Sequence, residues 1–96
     1  MTTLDRIRGS RREILAAAEK HGAHHVRLFG SAARGEDAPD SDVDFLVSMT
    51  SGRDLLDLIA LEEELNALLT TKTDVVSDQE LSPYLRERIL QEAVPL

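Results

Sequence analysis

Leu28-Phe29-Gly30-Ser31-Ala32-Ala33-Arg34-Gly35, followed after six residues by Asp42-Val43-Asp44-Phe45-Leu46-Val47, is the stretch on which the fold turns. Ala23 to Phe29 puts Val26 and Leu28 on alternate positions, the period of a half-buried strand. Gly30-Ser31 breaks that strand. Ala32 to Gly35 reads as one helical turn closed by Gly35. Glu36 to Ser41 holds Pro39 and acids that include Asp37 and Asp40, the composition of a solvated loop. Val43 to Val47 is a second strand, with Val43 and Phe45 directed into the core.

Outward from there, Leu4, Ile7, Ile14, Leu15 and Ala18 fall at helical spacings between Thr3 and Lys20. Thr3 is a candidate N-cap and Gly22 ends the pattern. Gly9 and Ser10 weaken the middle, so one helix or two shorter ones fit. After the second strand, a longer helix is expected from Thr50, Ser51 or Gly52 to about Leu69, carrying Leu55, Leu58, Ile59, Leu65, Leu68 and Leu69. Thr71 to Val76 reads as a third strand. Ser82-Pro83 has the form of an N-cap followed by Pro at the first helical position, opening a helix to about Ala93. The order α-β-turn-β-α-β-α predicts a single α/β domain over residues 1–96. It is a small mixed sheet of three to four strands flanked by helices, with a right-handed crossover if the second and third strands are parallel.

Composition bounds the function. The chain has 96 residues, enough for one core. Its net charge of −7 excludes a protein built mainly to grip nucleic acid. It leaves room for a triphosphate, because bound cations can mask carboxylates. There is no cysteine, hence no disulfide, no thiolate zinc site and no cysteine nucleophile. No apolar run approaches the ~18 residues of a membrane span, and Met1 to Ser10 does not read as a signal peptide. The expectation is a cytoplasmic protein.

The chemistry-bearing residues cluster around the deciding stretch. Gly30 lets a phosphate approach the backbone, the free amides of a helical start bind phosphate, and the Ser31 hydroxyl adds a donor. Asp42 and Asp44 lie two apart at the start of a strand and so share a face. Two adjacent carboxylates repel unless a cation lies between them, and Mg²⁺, a hard ion that keeps substrate phosphates in its shell, suits them. Asp74, on the third strand, is placed to join them if that strand lies beside the second. It is also a candidate proton acceptor.

Alone, each feature has an ordinary explanation. Gly-Ser is a common turn, and acids at strand ends are often caps or loop residues. Arg34 suits phosphate, but an ion pair with Glu36 or Asp37, or a bond to loop carbonyls, is as good an account. Ser41 reads as a turn-former rather than a ligand. His21, His24 and His25 lack the spacing of a metal cluster. Asp54, Asp57, Glu62, Glu63 and Glu64 read as the solvated face of a helix, and Ile89 and Leu90 as core.

Gly30-Ser31, ten residues, then Asp42-Val43-Asp44, and later Thr73-Asp74-Val75-Val76, resembles the DNA polymerase β-like nucleotidyltransferase superfamily, and within it the minimal nucleotidyltransferase branch of MntA-type antitoxins. The likeness covers the chain from about Val26 to Val94. It implies a nucleotidyltransferase fold, with Gly30 and Ser31 binding the triphosphate of ATP. Asp42, Asp44 and Asp74 would hold two Mg²⁺ ions and carry catalysis; Arg34 is a candidate phosphate ligand on its own chemistry alone. It further implies transfer of AMP onto a tyrosine of a partner HEPN-domain toxin, a ribonuclease. Two other readings remain open: an antitoxin that blocks its toxin sterically without catalysis, and a small-molecule nucleotidyltransferase of the aminoglycoside type.

Overall fold

A computed structural model describes residues 2–36 and 42–96. Along the chain run α1 (Thr3–Gly9), α2 (Arg11–Lys20), β1 (Ala23–Phe29), β2 (Val43–Met49), α3 (Leu55–Leu69), β3 (Thr73–Ser77), α4 (Pro83–Glu92) and β4 (Val94–Pro95). The break foreseen at Gly9-Ser10 is real: Ser10 is the C-cap of α1 and the N-cap of α2. The cap of α1 is Thr2 rather than Thr3. Its hydroxyl accepts the Asp5 amide while the Asp5 carboxylate accepts the Thr2 amide, a reciprocal capping box.

The strands form one mixed sheet in the order β3-β2-β1-β4. β1 is antiparallel to both β2 and β4, and β2 is parallel to β3. Alternation along the strands divides the sheet into two faces. Val26, Leu28, Val43, Phe45, Val47, Met49 and Val75 join Ile7 of α1, Ile14 and Ala18 of α2, and Leu58, Leu61, Leu65 and Leu69 of α3 in a continuous core. The other face carries Asp44, Leu46 and Ser48 of β2 with Asp74 and Val76 of β3. There Arg27 donates to Ser48 and pairs with Asp78 at 3.4 Å.

Two boundaries and one burial expectation differ from the sequence reading. α3 begins at Leu55, not between residues 50 and 52. Thr50 is held by the Gly22 carbonyl at 2.7 Å, Gly52 adopts φ +91°, and Asp54 caps the helix in a box with Asp57. β3 begins at Thr73 because Asn66 and Glu62 of α3 accept the Thr73 and Val75 amides at 2.6 and 3.0 Å. Glu62 is therefore a cover for an edge strand and not only a solubilising charge. α4 is capped by Ser82 with Pro83 at its start, as read, but contains no buried residue. Leu90 is exposed and Ile89 half-buried, so neither is core. What fixes the C-terminus instead is β4, a two-residue strand that no periodicity announces.

Candidate active site

Gly30 sits immediately after β1 with φ +77°, a left-handed conformation that glycine tolerates best. A β-carbon there would lie 2.5 Å from Asp44 Oδ2. The position therefore needs glycine twice over, for its backbone and for its space. The same contact brings the Gly-Ser turn against the carboxylate of β2. Strand register completes the line: Phe29 pairs with Asp44, and Asp44 pairs with Asp74. The turn at residues 30–35, the second strand and the third strand thus meet at one end of the open face.

The turn itself is one irregular helical loop. The amides of Arg34, Gly35 and Glu36 donate to Gly30, Ala32 and Ser31 at 3.2, 3.3 and 2.9 Å. Among the described residues, the amides of Ser31, Ala32 and Ala33 and the Ser31 hydroxyl have no partner. Unpaired amides at the start of a helical turn bind anions. The Gly30 amide is already engaged, donating to Glu92 Oε1 at 2.8 Å.

Electrostatics mark the same spot. Burial, then the charges of Asp74 and Asp42, push the Asp44 carboxyl up to about 6, and Arg34 partly opposes them. An acid raised first by burial and then by two like charges is one whose charged form a bound cation would stabilise. All-oxygen donors on neighbouring strands fit a hard divalent ion. No three such groups among the described residues are already set as a complete metal cage. Mg²⁺ bound through one or two carboxylates plus substrate phosphates does not need one. Asp42 lies beside Lys72, 3.5 Å away.

Arg34 forms the ion pair with Glu36 anticipated from sequence, at 3.1 Å, and a second at 2.7 Å with Glu92. These carboxylates hold its guanidinium above the ordinary arginine range, Glu36 foremost. Glu92 went unread in the sequence, although an acid in the last turn of a helix opposes the helix dipole. Ser41, Asp37 and Asp40 lie outside the described residues. His24 and His25 touch edge to face with ring centroids 4.8 Å apart, and His21 pairs with Glu64. A surface hollow of 390 Å³ lined by Arg8, Arg11, Arg12 and Glu13 lies on α1 and α2, away from this site.

The nucleotidyltransferase domain family matches residues 11–96 of the chain. A Methanocaldococcus jannaschii protein whose name marks it provisionally as a protein adenylyltransferase is 42% identical over 84 residues, 88% of this chain and 90% of its own. The protein adenylyltransferase MntA of Thermococcus cleftensis is 41% identical over 76 residues, 79% of this chain and 77% of its own. A solved structure described, again provisionally, as a minimal nucleotidyltransferase superposes with a TM-score of 0.89 at 47% identity, covering 100% of this chain and 97% of its own. Two more distant structures share the fold. One is a toxin–antitoxin complex with AMP-PNP, with a TM-score of 0.76 at 21% identity, covering 88% of this chain and 69% of its own. The other is a tri-AMPylated Shewanella oneidensis HEPN toxin with its MNT antitoxin, with a TM-score of 0.70 at 18% identity, covering 92% and 69%. No described helix is long and apolar enough to cross a membrane.

Proposed function

Because the chain belongs to the nucleotidyltransferase domain family, we propose that it moves AMP from ATP onto a tyrosine hydroxyl of a HEPN-domain toxin and so acts as that toxin's antitoxin. The observation that carries the reading is the close approach of Gly30 to Asp44, with Asp74 in register beside it. It supports reading the Gly30-Ser31 turn and the carboxylates of β2 and β3 as two parts of one nucleotide site. The relatives named for protein adenylylation support the acceptor class, and the HEPN toxin bound by an MNT antitoxin supports the partner.

In this mechanism the Ser31 amide and hydroxyl, the next two amides and Arg34 hold the β- and γ-phosphates. Asp42, Asp44 and Asp74 face the α-phosphorus. Two Mg²⁺ ions held by these carboxylates would neutralise the phosphates and lower the pKa of the acceptor hydroxyl. The acceptor oxygen bonds to the α-phosphorus in line as the bond to the β-phosphate oxygen breaks and pyrophosphate leaves. In this reading Asp74 takes the hydroxyl proton. Positioning and charge neutralisation are what phosphoryl transfer asks of a protein.

The test is incubation of the purified chain with α-³²P-labelled ATP, Mg²⁺ and the product of the adjacent gene. Label is expected on the partner. Asp44→Asn should reduce it by roughly 10³-fold, the scale of losing a group that stabilises transition-state charge, while the variant stays folded. A stable complex that carries no label would instead make the chain a steric antitoxin. Wild-type labelling by Asp44→Asn would overturn the metal assignment.

A further inference from the structure

We infer that Glu92 is a positioning residue for the phosphate-binding turn, acting through Gly30 and Arg34. One carboxylate oxygen, Oε1, accepts the Gly30 amide at 2.8 Å and Arg34 Nη1 at 2.7 Å. The two ends of the turn are thus tied to a single atom. The inference rests on reading residues 30–34 as the phosphate site.

Strand register explains how an acid 62 residues downstream arrives there. β4 is antiparallel to β1, with Leu28 opposite Val94 and Arg27 opposite Pro95. The Leu96 amide extends the pairing to the Val26 carbonyl at 3.1 Å. Antiparallel pairing keeps the sum of partner numbers constant, so two residues beyond Leu28 and two before Val94 brings Gly30 opposite Glu92. The two-residue strand is a device that delivers a carboxylate to the turn. α4 has no buried residue, so packing into the core does not set this position.

Helix electrostatics give an independent reason. Glu92 is the last residue of α4, whose last turn holds no basic residue. A carboxylate at a helix C-terminus faces the negative end of the dipole and is disfavoured there. Its partners on the turn compensate: one backbone N–H and one guanidinium.

The consequence lies in Arg34. Its Nε is bound to Glu36 and its Nη1 to Glu92, while Nη2 has no partner among the described residues. Glu92 holds the guanidinium in one rotamer and leaves an edge free for a phosphate oxygen. Without Glu92, Arg34 keeps only the exposed pair with Glu36, a weak restraint. Nucleotide binding then has to order the arginine and the turn itself, and affinity falls.

The experiment is calorimetric titration of the full chain with ATP and Mg²⁺, for wild type, Glu92→Ala, Glu92→Gln, Arg34→Ala and the Glu92→Ala/Arg34→Ala double variant. Each protein's unfolding midpoint is recorded alongside. Glu92→Ala and Arg34→Ala should each weaken binding about tenfold, the scale of one charge-assisted hydrogen bond. The double variant should bind within about twofold of Arg34→Ala alone, because residues acting through one another are not additive. Glu92→Gln keeps an acceptor for the Gly30 amide and should fall between wild type and Glu92→Ala, which carries the test if the alanine variant does not fold. In transfer assays the loss should appear in KM for ATP, with kcat at saturation within about threefold. Multiplying losses in the double variant would overturn the inference, as would unchanged or tighter binding by Glu92→Ala. Wild-type protein that binds no ATP would overturn the phosphate-site reading and the inference with it. Wild-type binding with an unaffected Glu92→Ala sinks the inference alone.

Discussion

The two faces of the sheet are made by the same strands, yet one is dry and the other is charged. On β2, Val43, Phe45 and Val47 are no more than 1% exposed and belong to the core, while Asp44 and Ser48, one residue out of phase, look out of the other face. The helices α1, α2 and α3 pack on the first face, while α4 has no buried residue of its own. The difference teaches how a small chain divides its work. A period of two lets each strand contribute apolar area on one side and carboxylates on the other, and a one-residue slip would exchange them. Rigidity from the packed face fixes the geometry of the open one, where Asp44 is held in an unfavourable ionic state.

The largest effect should come from the packed face. Phe45→Ala empties a fully buried site and should cost roughly 3–5 kcal/mol, read from denaturant midpoints. The sharper comparison is with Leu46, its neighbour on the open face. Leu46 is also fully buried but lies outside the main core cluster. Leu46→Ala should cost about 2–3 kcal/mol, less than Phe45→Ala but well above a surface change. A cost near zero would mean that the open face contributes nothing to stability and the division is absolute. A cost equal to that of Phe45→Ala would erase the distinction.

The next effect is a pH dependence that a single substitution should remove. Asp44 titrates near 6 when folded, against an ordinary value of 3.8. The folded, metal-free protein therefore holds a proton that the unfolded chain has released. Its stability is highest below the ordinary value, falls as pH rises from about 4 to 6, and stays reduced above that. Asp44→Asn should remove this fall and be the more stable protein above pH 6, by about 1 kcal/mol once solvent screening is allowed for. Asp5, Asp57 and Glu64, whose carboxyls are held low by their hydrogen bonds, contribute the opposite slope at lower pH. Subtracting the two profiles isolates Asp44. A difference that does not change between pH 4 and 7 would contradict the raised value.

Much of this was legible because the relevant signals are local. Gly30-Ser31 and Asp42-x-Asp44 are short, their spacing is fixed, and alternation alone puts both acids on one face. Asp74 could be placed beside Asp44 because a helix between two strands implies a parallel pair, which is the observed register. What was hidden depends on distant pairing. β4 is two residues long and contains Pro95, so neither length nor propensity marks it. Glu92 becomes meaningful only once Val94 is known to face Leu28. Ile89 and Leu90 misled because helical spacing reports an apolar stripe and not whether anything covers it. Glu62 looked like a surface charge because nothing in a helix's own sequence says that an edge strand's amide lies against it.

The smallest expected effect tests whether charge pairs also hold the open face together. Lys72 Nζ lies 3.5 Å from Asp42 Oδ2, with the two side chains 73% and 38% exposed. Exposed pairs of that length contribute little, because water screens them and the lysine gives up rotamer freedom to make them. The Lys72 backbone, not its side chain, does the structural work, its carbonyl accepting the Val43 amide at 3.0 Å as β2 begins. Lys72→Ala should therefore shift stability by no more than about 0.5 kcal/mol. Any shift should vanish in roughly 1 M salt, where the screening length drops to about 3 Å. A loss above about 1 kcal/mol that survives salt would show the carboxylate end of the sheet to be braced by that ammonium. The open face would then owe its order to its own charges and not to the core behind it.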